Sequence, residues 1–179
     1  MHHGLRIEKP VSADLESAYT VFELAIALAF DQEGVIEDAI QEIAYKKSLI
    51  RQSVEENDSN TVFMVAKLDG RVIGTISFGP CGDDIRKCTN SGLETVGELG
   101  GLYVLPEYQG QGVGSALISE MLMYLHNKGV KQFCLDCGLK GAQKRWLRKF
   151  GEPYKVAKNY WGKDADHLIW LCDVVDYVQ

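Results

Sequence analysis

Residues 109–115 read Gln-Gly-Gln-Gly-Val-Gly-Ser, with glycines at three alternate positions directly ahead of a helix-forming stretch. Glycine costs about 0.5 to 1 kcal/mol against alanine in regular structure, so this density implies a demand on the backbone. A glycine turn that opens a helix presents unpaired N–H groups at the positive end of the helix dipole, which suits phosphate, and the missing side chains let a ligand come close. Spacing separates the phosphate loops. The pattern GxxxxGK[ST] is absent, because Gly162-Lys163 is followed by Asp164. The pattern GxGxxG fails as well, since Gly110-x-Gly112 leads to Ser115 and Gly112-x-Gly114 to Leu117. What remains is Gln109-x-x-Gly112-x-Gly114.

The five cysteines raise a metal question. Cys134 and Cys137 form a CxxC within KQFCLDCGL, a stretch of strand character in which residues three apart point to opposite faces. Chelation would need a turn there, and Cys81 and Cys88 lie in a Gly/Asp-rich segment far along the chain. We expect buried apolar thiols in a reducing compartment and no metal site. The odd count also argues against a disulfide framework.

Composition narrows the class. A chain of 179 residues that is 46% hydrophobic buries one substantial core, and no Pro/Ser-rich linker or charge block divides it, so residues 1–179 are read as a single domain. A net charge of −6 disfavours a nucleic-acid or anionic-membrane surface. The longest apolar run, LAIALAF at 24–30, is too short to span a bilayer, and the expected location is cytoplasmic. His2 and His3 are assigned no functional role.

The elements that must position the loop follow from periodicity. Arg6 to Glu8 reads as a strand, with Ser12 or Asp14 as the cap of a helix whose Leu15, Ala18, Tyr19, Phe22, Ile26 and Ala29 share one face, ending near Phe30. A second helix carries Ile36, Ile40, Ile43, Ile50 and Val54 on one face. TVFMVAKLDGRVIGTISF, 61–78, is a hairpin about Asp69-Gly70, a dipeptide suited to a type I′ turn. A loop is expected over 79–92, a strand over 94–104, and a helix over 112–128 with a wide apolar face. KQFCLD is the next strand, GAQKRWLRKFG a helix and HLIWLCDVV the last strand.

The segment ELGGLYVLPEYQGQGVGSALI resembles the acetyl-CoA-binding motif of the GNAT superfamily of N-acetyltransferases, Q/R-x-x-G-x-G/A between a strand and a helix. The order of elements is similar over nearly the whole chain. The resemblance implies a mixed α/β (α+β) GNAT fold, with a mostly antiparallel central sheet flanked by helices, and acetyl-CoA as co-substrate. It places Gln109, Gly110, Gln111, Gly112, Val113, Gly114 and Ser115 around the pyrophosphate, and backbone groups of Leu102, Tyr103 and Val104 along the pantetheine. It also implies an amine acceptor, a small molecule or a peptide, and leaves pairing into a homodimer open.

Acetyl transfer to an alkylamine needs a free lone pair, yet such an amine, with a pKa near ~10, is almost wholly protonated at neutral pH. A base must take that proton. Glu98 is the candidate, eleven residues before Gln109, a spacing that resembles that of the glutamate base in histone-acetylating relatives. Apolar neighbours such as Leu99 and Leu102 are expected to raise its pKa. Gly100-Gly101 permits a bulge that would splay the strand, free an N–H for the developing oxyanion and change the parity of inward-facing residues. The family's acid is a tyrosine in N-x-x-A-x-x-F-Y-x-x-x-G; aligned on Gly151, this chain has Leu147 in its place. Tyr154 or Tyr160 then takes the role, with Tyr154 as the candidate, or the thiolate leaves unaided. Lys144, Arg145, Arg148 and Lys149 form a solvated helix face that could also meet the coenzyme's 3′-phosphate. The acidic residues Asp31, Glu33, Glu37 and Asp38 suggest a cationic acceptor, and Tyr160 and Trp161 would line its cleft. A coenzyme A-binding module without transferase activity is the alternative.

Overall fold

Asp69 and Gly70, with φ of 50° and 80°, close the hairpin that the sequence marks, between β2 (Val62–Leu68) and β3 (Arg71–Gly79). The computed structural model describes residues 4–56 and 58–178, so His2 and His3 lie outside the described residues. The hairpin is part of a seven-stranded sheet in the order β1-β2-β3-β4-β5-β7-β6. Here β1 is Arg6–Glu8, β4 Gly97–Val104, β5 Gln132–Cys137, β6 Lys155–Ala157 and β7 His167–Asp173. Every neighbouring pair is antiparallel except β4 and β5.

Helices cover both faces. On one side α1 (Leu15–Gln32) and α2 (Ala39–Glu55) pack together, and Phe22 of α1 meets Phe63 and Tyr103 edge-on at 6.4 and 5.9 Å between ring centres. On the other side α4 (Val113–Asn127) rests on β3 at Gly74, where an added Cβ would meet Leu117 at 3.0 Å. Burying Val113, Leu117, Ile118, Met121, Leu122 and Leu125 along one face is what holds α4 there. α5 (Lys140–Phe150) continues that layer, with Phe150 against Phe133 at 5.6 Å.

Several expectations change. The stretch 79–92 contains a short helix, α3 (Asp83–Thr89), started at Gly82 and ended by Asn90 in the left-handed region. Its one buried residue, Ile85, packs in a small second cluster with Cys81, Leu93, Cys134 and Ile169, so there was no apolar repeat to read. β6 escaped notice because three residues carry no alternation. Ile40 is 75% exposed and so is not on the buried face of α2. Neither Ser12 nor Asp14 caps α1 with its side chain. The Asp14 carboxylate instead accepts the Val11 N–H at 2.8 Å and pairs with Lys67 at 2.7 Å. α1 runs two residues past Phe30, to Gln32.

The glycine bulge forms. Thr75 faces Tyr103 while Ser77 faces Gly100, so Ile76 alone opposes both Gly101 and Leu102. Gly101 adopts φ of 59°, and the Thr75 hydroxyl donates to its carbonyl at 2.7 Å. A Cβ at Gly101 would sit 2.6 Å from Ser77 Oγ. Gly101→Ala is therefore expected to cost about 1 to 3 kcal/mol, from left-handed backbone strain and the displaced hydroxyl. Urea denaturation checks this, and an unchanged midpoint would contradict it.

Candidate active site

The glycine segment leaves its backbone uncovered. Gly110 and Gly112 have φ of 73° and 87°, and a Cβ at either would meet nothing within 4 Å. Gly112 is the N-cap of α4, whose hydrogen-bond ladder opens with Ala116 N–H donating to the Gly112 carbonyl at 3.0 Å. The N–H groups of Val113, Gly114 and Ser115 therefore precede the first intrahelical bond. Gln109 donates from Nε2 to the Val104 carbonyl at 3.0 Å, which ties the turn to the end of β4. Gln111 does the same one turn on, to the Glu107 carbonyl at 2.6 Å.

Only Gly97 and Glu98 of β4 pair with β5, opposite Phe133 and Cys134. Beyond them the strands part. Leu102, Tyr103 and Val104 keep β3 on one side while their other edge is unpaired toward β5. Such an edge accepts an extended chain as an added strand.

Glu98 sits at the fork. Its Oε2 accepts the Gly82 N–H at 2.7 Å. Burial is the main cause that raises its pKa to about 7, helped by the Asp136 carboxylate and opposed by the Gly82 N–H and by Lys46. Leu99, adjacent in the strand, points to the other face, so it is not Leu99 that desolvates the carboxyl. The bulge decides what shares the face of Glu98. Tyr103 lies five positions further along the chain, which in a regular strand would put the two on opposite sides. With the extra residue both face α1 and α2. Tyr103 donates its hydroxyl to Glu42 of α2 at 3.0 Å, and its phenol is pushed well above the usual range by burial and by Glu42.

Across the fork, Asp136 of β5 is 2.9 Å from His167 Nε2, and His167 Nδ1 is 3.0 Å from Trp161 Nε1. Tyr160 donates to Asp84 of α3 at 2.6 Å, and that carboxylate, helped by burial, pushes its phenol up. Tyr160 and Trp161, expected along the acceptor cleft, are thus engaged by Asp84 and His167 respectively. Tyr154 lies between α5 and β6, 56% exposed, and among the described residues no hydrogen bond or ring contact joins it to Glu98 or Asp136. Lys144, Arg145, Arg148 and Lys149 are all exposed. Of the acidic residues at the first helix junction, Asp31, Glu37 and Asp38 are exposed, whereas Glu33 is spent on the Gly141 N–H at 2.7 Å.

Sequence reasoning missed Glu42, Asp84, Asp136 and His167. Only Asp136 carried a signal, as a charge inside an otherwise apolar strand, and the flanking cysteines drew attention from it. Cys134 and Cys137 do fall on opposite faces, one in each buried cluster, and all five thiols are free. Among the described residues no group of three or more His, Cys, Asp or Glu could hold a metal ion, and no helix is long and apolar enough to cross a membrane.

Known structures share this architecture. A protein described as an acetyltransferase of the GNAT family from Desulfovibrio desulfuricans superposes with a TM-score of 0.74 at 18% identity, covering 96% of this chain and 99% of that one. The PaiA N-acetyltransferase of Thermoplasma acidophilum, solved with coenzyme A, gives 0.67 at 18% identity, over 96% and 99% of the two chains. The aminoglycoside 6′-acetyltransferase type Ii gives 0.65 at 14%, over 94% and 97%. At these identities the likeness is one of fold, a mixed and mostly antiparallel sheet flanked by helices. No curated protein sequence matches the chain. The family model of the GNAT acetyltransferases matches residues 23–151, well over half of the sequence, and the chain belongs to the acetyltransferase (GNAT) family.

Proposed function

We propose that this protein transfers the acetyl group of acetyl-CoA to a primary amine by direct attack within a ternary complex, with Glu98 as the base. The observation that carries this is the Glu98 carboxyl, half-buried at the fork of β4 and β5 with its pKa raised to about 7, next to an unpaired strand edge that leads into an uncovered helix N-terminus. A base with that pKa accepts a proton near neutral pH and releases it again after the transfer. The uncovered backbone from Gln109 to Ser115 fits a pyrophosphate, and the free edge of Leu102, Tyr103 and Val104 fits the amide-bearing pantetheine. One sheet running from Arg6 to Asp173 supports a single catalytic domain over residues 1–179.

Protons balance simply. The acceptor ammonium gives one proton to Glu98, and the freed lone pair attacks the thioester carbonyl. An N–H at the Gly100-Gly101 bulge stabilises the oxyanion, and the carbon–sulfur bond then breaks. The nitrogen, cationic once it has added, gives its second proton to water as the thiolate departs, and the thiolate takes a proton from Tyr154 or from water. The one proton left in excess is that on Glu98, which returns to solvent. Tyr160, held by Asp84, is a poorer donor. Carboxylates on three elements, Glu42, Glu98 and Asp136, face this region and favour an amine that arrives charged.

Thiol release measured over a panel of polyamines, amino sugars, lysine peptides and neutral amines tests the proposal. Turnover with cationic amines is expected. Coenzyme A binding without thiol release from any acceptor would favour the non-catalytic module, which the leucine at 147 keeps in view. Tyr154→Phe is expected to lower kcat about 10-fold or more if its phenol serves the thiolate, and unchanged kcat assigns that proton to water.

A further inference from the structure

His167 is 3% exposed, and both of its ring nitrogens are engaged. An indole N–H can only donate, so Nδ1 must offer its lone pair to Trp161, and the ring proton resides on Nε2. That proton points at Asp136 Oδ2, 2.9 Å away. The imidazole is therefore neutral, with its tautomer set from the far side, and has no free nitrogen with which to act as a base. Its remaining capacity is to hold the carboxylate.

The segment that delivers Trp161 is built for the purpose. The Trp161 N–H donates to the Ala165 carbonyl at 3.0 Å, Asp164 N–H to Asn159 Oδ1 at 2.8 Å, and Asn159 N–H to Asp166 Oδ1 at 2.9 Å. Opposite the indole stands Gly138, where a Cβ would come within 2.6 Å of Trp161 Nε1 and 3.4 Å of His167 Nδ1. A side chain there would push the indole off the imidazole. Register then sets the target: Glu98 pairs with Cys134, and Asp136, two residues on along β5, lies on the same face just where the strands part.

We propose that Trp161, His167 and Asp136 form a hydrogen-bonded chain that holds the Asp136 carboxylate beside Glu98 and so governs how readily Glu98 takes the acceptor's proton. The proposal rests on the assignment of Glu98 as base. Asp136 is a positioning residue, and Trp161 acts through it by keeping His167 neutral. An imidazolium would bring two N–H donors together at Nδ1 and offset the charge of Asp136. The other groups facing Glu98 are the Gly82 N–H at the start of α3 and Lys46, which favour its anion, and Glu42, which opposes it. Around His167 stands a further titratable neighbour, Tyr160, its ring 5.3 Å away and its hydroxyl on Asp84.

The test reads Glu98 directly. With carbon-13 in the glutamate carboxyls, and the Glu98 resonance assigned by its loss in Glu98→Gln, its titration is followed in the ligand-free protein. Asp136→Asn is expected to lower the midpoint by about one pH unit, the usual scale for removing one nearby like charge. Trp161→Phe should lower it in the same direction, because the ring loses the donor at Nδ1 that fixes it against Asp136, and the double variant should go no lower than Asp136→Asn alone. An unchanged midpoint in folded Asp136→Asn overturns the proposal, as does a Trp161→Phe midpoint equal to that of the unmodified protein. Trp161 is 55% exposed, so that variant decides even if Asp136→Asn fails to fold. The acid limb of kcat/KM should follow the same shifts. Midpoints that move while the limb stays would leave the chain standing and remove Glu98 as the base.

Discussion

Glu98→Gln is expected to lower kcat/KM for a cationic amine by about 100- to 10,000-fold at neutral pH while leaving acetyl-CoA affinity nearly unchanged. The glutamine keeps the size of the side chain and can still accept the Gly82 N–H, so the loss falls on proton removal. Raising the pH should restore part of the rate, because more acceptor arrives deprotonated. In the unmodified protein the acid limb of kcat/KM should lie near the raised pKa of about 7. Stability should move the opposite way. Between the ordinary value of 4.5 and about 7 the folded chain holds more of this proton than the unfolded chain does. The contribution of this group to stability therefore falls as pH rises through that window. Removing the charge cancels the loss, so Glu98→Gln should unfold at a higher temperature than the unmodified protein at pH 8, with the gap closing toward pH 4. A variant that is folded, binds the coenzyme and keeps most of its activity at neutral pH would place the base elsewhere.

Gly112→Asp is expected to weaken coenzyme A binding by about 100-fold or more in a folded protein. Gly112 has φ of 87° and caps α4, so any side chain there adopts a backbone conformation that L-residues disfavour. A carboxylate at that point also sets a negative charge where a pyrophosphate would use the N–H groups of Val113, Gly114 and Ser115. A Cβ at this position meets no neighbouring atom within 4 Å, so the space is open to ligand and the cost to the fold is the backbone strain alone, about 1 to 2 kcal/mol. Calorimetry separates the cases. Unchanged affinity would remove the loop from the coenzyme site, and NAD and ATP should not compete at comparable concentrations.

What the sequence determined by itself is local. The turn at Asp69-Gly70, the apolar face of α4 and the glycines ahead of it were legible because each depends on neighbours within a few residues, where φ preference and a repeat of two or 3.6 residues leave a mark. Glu98 stood out as a candidate base only through its spacing from the glycine motif, which resembles that of the family. Tertiary structure decided the rest. The helix α3 exists because Ile85 finds Cys134 and Ile169 from two distant strands, a gain invisible within seven residues. Which side chains surround Glu98 depended on whether Gly100-Gly101 added a residue to the strand, because one extra residue reverses the parity of everything beyond it. That reversal puts Tyr103, and through it Glu42, on the face of Glu98. The union of Asp136, His167 and Trp161 required β5 and β7 to pair antiparallel and a loop to fold back over Gly138, contacts between residues up to 41 positions apart. Hydrogen bonds of that span have no period in the chain, and the pairing of whole strands sets them.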